Sequence, residues 1–188
     1  MPLTARWRAW AAHHRVHVGI IFALAYVAFS RPAAQTFWYG TLLVGVGESI
    51  RVWACGHLVR NEELTRDGPY SVVRHPLYLG SLLIGLGLVV MTEHQWLWLG
   101  TFVALYAGFY LPAMYVEELR LQSLFGAEYL EYMDDVPRLI PRPRRSEPWH
   151  DSGQRPARFS RERSRRNREM RTVAVMLLLL IVQYLKGF

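Results

Sequence analysis

Four apolar runs of near-membrane length constrain this chain more than any other feature of its sequence. They cover residues 16–30, 36–59, 77–92 and 95–116. A helix needs about 20 mostly apolar residues to cross the hydrocarbon core of a bilayer, and roughly 17–25 are tolerated. A fifth run, residues 172–185, has 14 residues, so it predicts either a further span or a helix that lies at the interface. We therefore expect an all-α integral membrane protein with four or five transmembrane helices.

Positive charge is concentrated near the carboxyl end of the chain. Residues 138–171 hold 12 of the 21 arginines and four acidic residues, a net charge of +8, whereas the other 154 residues sum to −1. This split is not typical of a soluble globular domain and indicates a membrane body with a cationic segment. We expect that segment to be disordered or to lie on anionic lipid. It has no aromatic interleaving or fold motif that would favour nucleic acid.

The basic residues also predict the orientation and the division of the chain. Arginines precede the first run, lie between the second and third, and follow the fourth, while the other two connections hold one arginine together. By the positive-inside rule, the N terminus and these three segments face the cytoplasm, at the cell membrane if the protein is prokaryotic. We expect a membrane-embedded domain over residues 1–141, an Arg-rich cytoplasmic segment over 142–171, and a C-terminal apolar helix over 172–186.

Ionisable side chains interrupt the second apolar run. Glu48 and Arg51 are three residues apart and therefore share one helix face. Such groups cost roughly 2.5–3.5 kcal/mol each within a span, so they are usually paired or functional. The two residues either form an ion pair or face a polar substrate cavity, and we expect His57 to be a hydrogen-bonded interfacial histidine. Cys55 is the one cysteine, and no helix carries His and carboxylate pairs at metal-site spacing, so we expect no disulfide and no metal.

Donor groups cluster between the second and third runs. Asp67-Gly68-Pro69 predicts a turn. His75 precedes Pro76, which can begin the third helix, so the first amides of that helix, together with Arg74 and His75, would point donors at a carboxylate or phosphate.

Two acidic residues follow the fourth run at the same side of the membrane. Apolar residues continue past them, so one helix is expected to leave the bilayer there and to hold Glu117 at the boundary, level with Arg74 and His75. A ligand with an anionic end and a positive centre, such as S-adenosylmethionine (SAM), fits that distribution. On spacing alone, two adjacent acids at a membrane surface are more often simply solvated residues.

Two blocks in these segments resemble the isoprenylcysteine carboxyl methyltransferases. The first is Gly68-Pro69-Tyr70, followed by Val73-Arg74-His75-Pro76-Leu77-Tyr78-Leu79-Gly80. The second is Glu117-Glu118-Leu119, followed by residues 124–132 and 136–141. The phospholipid N-methyltransferases share the His-Pro element and the paired glutamates in weaker form. The resemblance covers about residues 53–141, and residues 142–188 have no counterpart.

The resemblance implies an enzyme that transfers a methyl group from SAM to a membrane-soluble acceptor, either a lipid or a prenylated or otherwise lipophilic molecule. It places the cofactor site on the cytoplasmic side, between the start of the third helix and the end of the fourth. The implied cofactor-contacting residues are Leu64, Thr65, Tyr70, Arg74, His75, Pro76, Leu77, Tyr78, Glu117 and Glu118, and more weakly Arg60. No catalytic base is implied; the candidates for a role in catalysis are Arg74, Glu117 and Arg51.

One departure from the family leaves the acceptor open. The eukaryotic carboxyl methyltransferases have an arginine one helical turn before the glutamate, where it handles the substrate carboxylate, and this chain has Ala113. The methylated group can therefore be a carboxylate, an amine or a thiol. Two other functions are considered: a nicotinamide-dependent enzyme like the sterol reductases, which share a similar His-Pro-x-Tyr element, and a non-catalytic membrane protein whose Arg-rich segment recruits a partner or lipid.

Overall fold

The computed structural model describes residues 3–59, 63–142, 159–166 and 169–188, and the regular structure in these ranges is helical. The helices are α1 (Leu3–Phe29), α2 (Ala34–His57), α3 (Pro76–Val90), α4 (Gln95–Leu105), α5 (Leu111–Phe125), α6 (Ala127–Asp135), α7 (Arg161–Arg166) and α8 (Glu169–Gly187). A π-helical segment, Tyr106–Tyr110, joins α4 to α5. The predicted all-α class is confirmed.

Membrane character follows from the length and apolarity of these helices. Three stretches, Thr4–Phe29, Gln95–Phe125 and Met170–Gly187, are long and apolar enough to cross a bilayer. Pro76–Val90 is equally apolar in character but has 15 residues. Helix α2 has 24 residues, which is sufficient length, although it includes the charged positions noted above. The chain is an integral membrane protein.

Helix α8 is longer than the 14-residue apolar run from which it was predicted. It begins at Glu169 and has 19 residues, because unbranched polar residues at its ends are good helix formers. At its C-terminal end, Gln183 Nε2 donates to Ser30 Oγ at 2.8 Å, and Lys186 Nζ donates to the carbonyl of Ser30 at 2.7 Å. Since Ser30 directly follows α1, the end of α8 reaches the connection between α1 and α2.

The start of α8 lies at the opposite end of the bundle. Helix α7 precedes it, and the amide of Ser160 just before α7 donates to the carbonyl of Gly56 at 3.0 Å. Gly56 is one residue from the end of α2. Helix α8 therefore extends over the whole depth of the α1–α2 pair.

Close packing of α2 against α3 brings their backbones into contact. A Cβ atom added to Gly40 would lie 2.4 Å from the carbonyl oxygen of Gly87, and one added to Gly47 would lie 2.7 Å from that of Gly80. Such small residues permit close helix approach in membranes. The same approach lays the stem of Arg51 across Gly80, where an added Cβ would lie 2.4 Å from Arg51 Cγ.

Backbone hydrogen bonds fix the end of the bundle at which α1 turns into α2. The Ala33 amide donates to the Met91 carbonyl at 2.8 Å, and the Glu93 amide donates to the Arg31 carbonyl at 2.9 Å. These bonds tie the α1–α2 connection to the α3–α4 connection. The C terminus of α2 and the N terminus of α3 consequently lie together at the other end, where the two sequence blocks meet.

Candidate functional site

The segment between α2 and α3 begins with a turn built on a glycine. Gly68 has a φ of +60°, a left-handed conformation that favours glycine. The His57 ring packs directly on it, since an added Cβ would lie 2.7 Å from His57 Cδ2. Ser71 Oγ closes the turn by donating to the Gly68 carbonyl at 2.8 Å. The turn predicted at Asp67-Gly68-Pro69 is confirmed.

The start of α3 is held by the irregular segment after α6. The amides of Arg74 and His75 donate to the carbonyls of Pro137 and Arg138 at 2.8 and 3.1 Å. Pro76 is the first residue of α3, as predicted. The amides of the next turn donate to the His75 carbonyl, from residues 78 and 79, at 3.1 and 3.0 Å. These amides are thus already engaged, so side chains have to supply most of the donors for a ligand.

A buried carboxylate joins the two sequence blocks. Glu118 is 3% exposed. His75 Nε2 donates to its Oε1 at 3.2 Å, Arg138 Nε donates to the same atom at 2.9 Å, and a second Arg138 nitrogen contacts the other oxygen. Arg74 completes the group, with a nitrogen 3.4 Å from Glu118 Oε1. The hydrogen bond to Glu118 raises the pKa of the Arg138 guanidinium above its ordinary value.

Glu117 has a different environment from its neighbour. It is exposed, and it accepts a hydrogen bond of 2.9 Å from the hydroxyl of Tyr78 in the first turn of α3. The sequence predicted that Glu117 lies level with Arg74 and His75, and the resemblance implied that both Glu117 and Glu118 contact the cofactor. In the structure Glu118 contacts Arg74 and His75, and Glu117 carries the accessible carboxylate beside Tyr78.

Arg74 presents the most unusual electrostatics of the site. Its side chain is 10% exposed, and its Nε and Nη1 atoms are buried without a hydrogen-bond partner among the residues that the structure describes. Buried charged donors without partners are costly, and most such groups in proteins are satisfied. The arrangement is therefore suited to an anionic ligand that accepts from these two nitrogens.

Other predicted residues serve the loop itself. Thr65 Oγ1 accepts from the Val59 amide at 3.1 Å, and the carbonyl of Tyr70 accepts from the Tyr132 hydroxyl at 2.7 Å. Leu64 packs against the α6 cluster of Tyr129, Tyr132 and Val136, within which burial raises the pKa of the Tyr129 hydroxyl. These side chains hold the loop on α6. Arg60 lies outside the described residues.

Arg51 is directed to the same end of α3. Its Nη1 donates to Ser81 Oγ at 2.6 Å and lies 3.4 Å from the Leu77 carbonyl oxygen. Pro76 is buried and Leu77 is half-buried. The structure therefore brings Arg51, the start of α3 and the middle of α5 into one region. This region combines both sequence blocks with an arginine of the second apolar run.

Sequence reasoning gave no role to Arg138, Arg15 or Tyr110. Arg138 stands in the second block, and its position just after a proline was the available signal. Arg15 lies four residues after Ala11 and four residues before Gly19. Ala11 is fully buried, and a Cβ atom added to Gly19 would lie 3.1 Å from the Tyr110 hydroxyl. Residues at this spacing share a helix face, so Arg15 points toward the bundle.

Metal ligands were considered as well. Within the described ranges there is no group of three or more His, Cys, Asp or Glu side chains that could hold a metal ion. The expectation that the protein needs no metal stays a prediction.

Comparison with known proteins matches the same region of the chain. Residues 48–128 match the family model of the phospholipid methyltransferases. The cobalt-zinc-cadmium resistance protein CzcN of Cupriavidus metallidurans is 33% identical over 141 residues, which cover 69% of this chain and 64% of that protein. Protein-S-isoprenylcysteine O-methyltransferase B of Arabidopsis thaliana is 28% identical over 139 residues, 66% of this chain and 70% of that protein.

A shorter match involves a different acceptor. Methanethiol S-methyltransferase 2 of Bradyrhizobium diazoefficiens is 40% identical over 73 residues, 39% of this chain and 27% of that protein. No solved structure matches the chain. The chain spans less than two thirds of the length of the Cupriavidus protein. Together these matches confirm the resemblance to the isoprenylcysteine and phospholipid methyltransferases, and the family match includes His75-Pro76, Glu117 and Glu118.

Proposed function

Because residues 48–128 match the phospholipid methyltransferase family, we propose that this chain is a membrane-embedded, SAM-dependent methyltransferase with a lipophilic acceptor. The observation that carries the proposal is the Arg74 guanidinium, of which two buried nitrogens have no hydrogen-bond partner within the described residues. Arg74 contacts Glu118, and the next residue on α5, Glu117, carries an exposed carboxylate. SAM has a carboxylate at one end and a sulfonium near its centre, so these two charges complement it.

Each residue of the site then has a physical task. Arg74 binds the cofactor carboxylate through charge-assisted hydrogen bonds. Glu118, held by His75 and Arg138, fixes the position of the Arg74 guanidinium. Tyr78 donates to Glu117 and orients that carboxylate toward the positive part of the cofactor.

Bound SAM supplies a methyl group that is already activated by the sulfonium. The protein must then align the acceptor in line with that methyl group and exclude water. A carboxylate or thiolate acceptor needs no strong base, whereas an ammonium must first lose a proton. Arg51, whose Nη1 donates to Ser81 in the second turn of α3, is the candidate for contact with the acceptor.

The acceptor class is supported by the membrane setting and by the relatives. Two relatives are named for acceptors as different as a prenylated cysteine and methanethiol, so the shared region does not define the methylated atom. Ala113, where a guanidinium would stand in the eukaryotic carboxyl methyltransferases, is buried at 1% exposure. We propose that the acceptor reaches the site laterally from the bilayer.

Topology and domain organisation complete the proposal. The cofactor enters from the cytoplasm, where the basic segments lie by the positive-inside rule. Residues 1–141 form the catalytic membrane domain, residues 142–171 contact anionic lipid, and the last helix crosses the membrane.

A labelled-methyl assay tests the activity. The protein in detergent is incubated with SAM labelled on its methyl group and, in separate arms, N-acetyl-S-farnesylcysteine, phosphatidylethanolamine or dodecanethiol. We expect label in one arm, lost in Arg74→Gln and kept in the control Arg31→Gln at the other end of the bundle. Absence of label from all three arms and from a total membrane-lipid extract, with oxidation of NADPH by a sterol instead, would favour the reductase alternative.

A further inference from the structure

Phe159 connects the C-terminal part of the chain to the end of α2. Its ring lies on Gly56, where an added Cβ would lie 2.1 Å from Phe159 Cε2. The next residue, Ser160, donates its amide to the Gly56 carbonyl at 3.0 Å and begins the turn into α7. This anchor belongs to the part of the chain outside the family match, which ends at residue 128.

The ring of Phe159 contacts the tilted ring of His57, and His57 in turn reaches the turn before α3. The centroids of Phe159 and His57 are 5.9 Å apart. His57 Nδ1 donates to the Trp53 carbonyl at 3.0 Å, which fixes the plane of the imidazole, and the opposite edge of that ring lies on Gly68. Phe159, His57 and Gly68 thus form a continuous contact from the C-terminal segment to the loop over residues 63–75.

The exposed fractions of Phe159 and His57 differ. His57 is 8% exposed, whereas Phe159 is 45% exposed. Phe159 therefore shields His57 while remaining partly exposed itself. Removal of the Phe159 ring uncovers His57 without leaving a closed cavity, so the helices around it should still fold.

The position of the turn at Gly68 depends on the His57 ring that packs against it. Gly68 has a left-handed backbone conformation that glycine adopts with little strain. Two residues later, Tyr70 is buried, and its carbonyl accepts a hydrogen bond from the Tyr132 hydroxyl. His57 is the side chain that closes the turn from the α2 side. A shift of the imidazole would change the conformation that leads into Arg74 and His75.

We propose that Phe159 is a positioning residue for the cofactor site, acting through His57 and Gly68. The inference rests on the proposed function, because the ligand affected is the cofactor. It assigns a task to the C-terminal segment: to hold the loop of residues 63–75 in its binding conformation. Phe159 itself does not contact the cofactor.

Titration with S-adenosylhomocysteine (SAH), the product form of the cofactor, tests this role. The full-length protein is compared with Phe159→Ala, Phe159→Tyr, His57→Ala and the double variant by calorimetry, and each melting temperature is recorded. Phe188→Ala is the control, since Phe188 also packs on aromatic rings, Phe37 and Tyr184, at the far end of the bundle. A ring contact of this kind corresponds to an affinity loss of about three- to tenfold.

We expect Phe159→Ala to weaken SAH binding by that factor, Phe159→Tyr to restore it, and Phe188→Ala to leave it unchanged. The double variant should bind no more than about twofold more weakly than His57→Ala, because both residues act along one path. The inference would be overturned if the affinity losses of Phe159→Ala and His57→Ala multiplied in the double variant. It would also be overturned if Phe159→Ala had a lower melting temperature but an unchanged SAH affinity. A folded parent that does not bind SAH would overturn the proposed function and this inference with it, whereas equal binding by parent and Phe159→Ala overturns the inference alone.

Discussion

Replacement of Glu118 by alanine should destabilise the protein far more than loss of another paired glutamate. Glu118 is 3% exposed and is contacted by Arg138, His75 and Arg74. Its removal leaves two buried groups, Arg74 and His75, without their anionic partner. Breaking a buried charge pair from one side costs about 3–5 kcal/mol.

A matched control is available on the next helix. Glu128 pairs with Arg66, but its side chain is 42% exposed, and exposed pairs contribute about 0–1 kcal/mol. For a chain of this length, 1 kcal/mol corresponds to about 2–4 °C in melting temperature. Glu118→Ala should therefore lower the melting temperature by roughly 6–20 °C, and Glu128→Ala by no more than about 4 °C.

Tryptophan fluorescence during heating in detergent, at one fixed scan rate for all variants, measures this difference. Glu118→Gln should fall between the two alanine variants because its amide keeps one acceptor oxygen for Arg138 or His75. Equal melting temperatures for Glu118→Ala and Glu128→Ala would refute the reasoning, since the carboxylate would then not be the centre of a buried network.

Three further changes have expected outcomes. Gly68→Ala should lower the melting temperature by a few degrees and weaken SAH binding in calorimetry, because a left-handed alanine costs about 1–2 kcal/mol and its methyl group would displace His57; unchanged binding would contradict this. Gly40→Val should destabilise the bundle by about 1–3 kcal/mol or more through overpacking against Gly87, and a melting temperature equal to the parent's would argue against close α2–α3 packing. Lys186→Met removes a cation from the last carbonyls of α1 and should cost about 0.3–1 kcal/mol in the same heating assay, whereas a larger loss would mean that α8 depends on this residue alone.

Local signals were sufficient for much of this architecture. The apolar runs predicted the helices, Asp67-Gly68-Pro69 predicted the turn, and Pro76 predicted the start of α3. The two sequence blocks were expected to meet at one end of the bundle, and the contacts from His75 and Tyr78 to α5 bring them together.

The assignment of the two glutamates required the structure. Neighbouring residues of a helix point about 100° apart, so a small rotation of α5 decides which acid faces Arg74. The π-helical segment Tyr106–Tyr110 precedes α5. A π-helical turn contains one more residue than an α-helical turn, so it rotates every later side chain about the helix axis. The apolar periodicity of residues 95–116 does not indicate this segment.

The C-terminal region was the least predictable part. Its high arginine content favours a segment at the protein surface. Arginine content does not indicate where a single aromatic residue such as Phe159 packs. The contact depends on Gly56, a residue more than 100 positions earlier whose missing side chain leaves room for the ring. Likewise, the packing of the end of α8 depends on Gln183 and Lys186, which reach Ser30 and Val27.

Calorimetric titration of the parent, Arg74→Gln and Glu117→Gln with SAM, in the absence of an acceptor, tests the central claim most directly, with the exposed Glu131→Gln as control. A charged hydrogen bond is worth about 1.5–3 kcal/mol, or roughly 10–100-fold in affinity. The account predicts micromolar binding by the parent and by Glu131→Gln, and at least about tenfold weaker binding by both site variants, with Glu117→Gln at a nearly unchanged melting temperature and Arg74→Gln still folded at the titration temperature. A folded parent that gives no heat of binding, or site variants that bind as tightly as the parent, would contradict it.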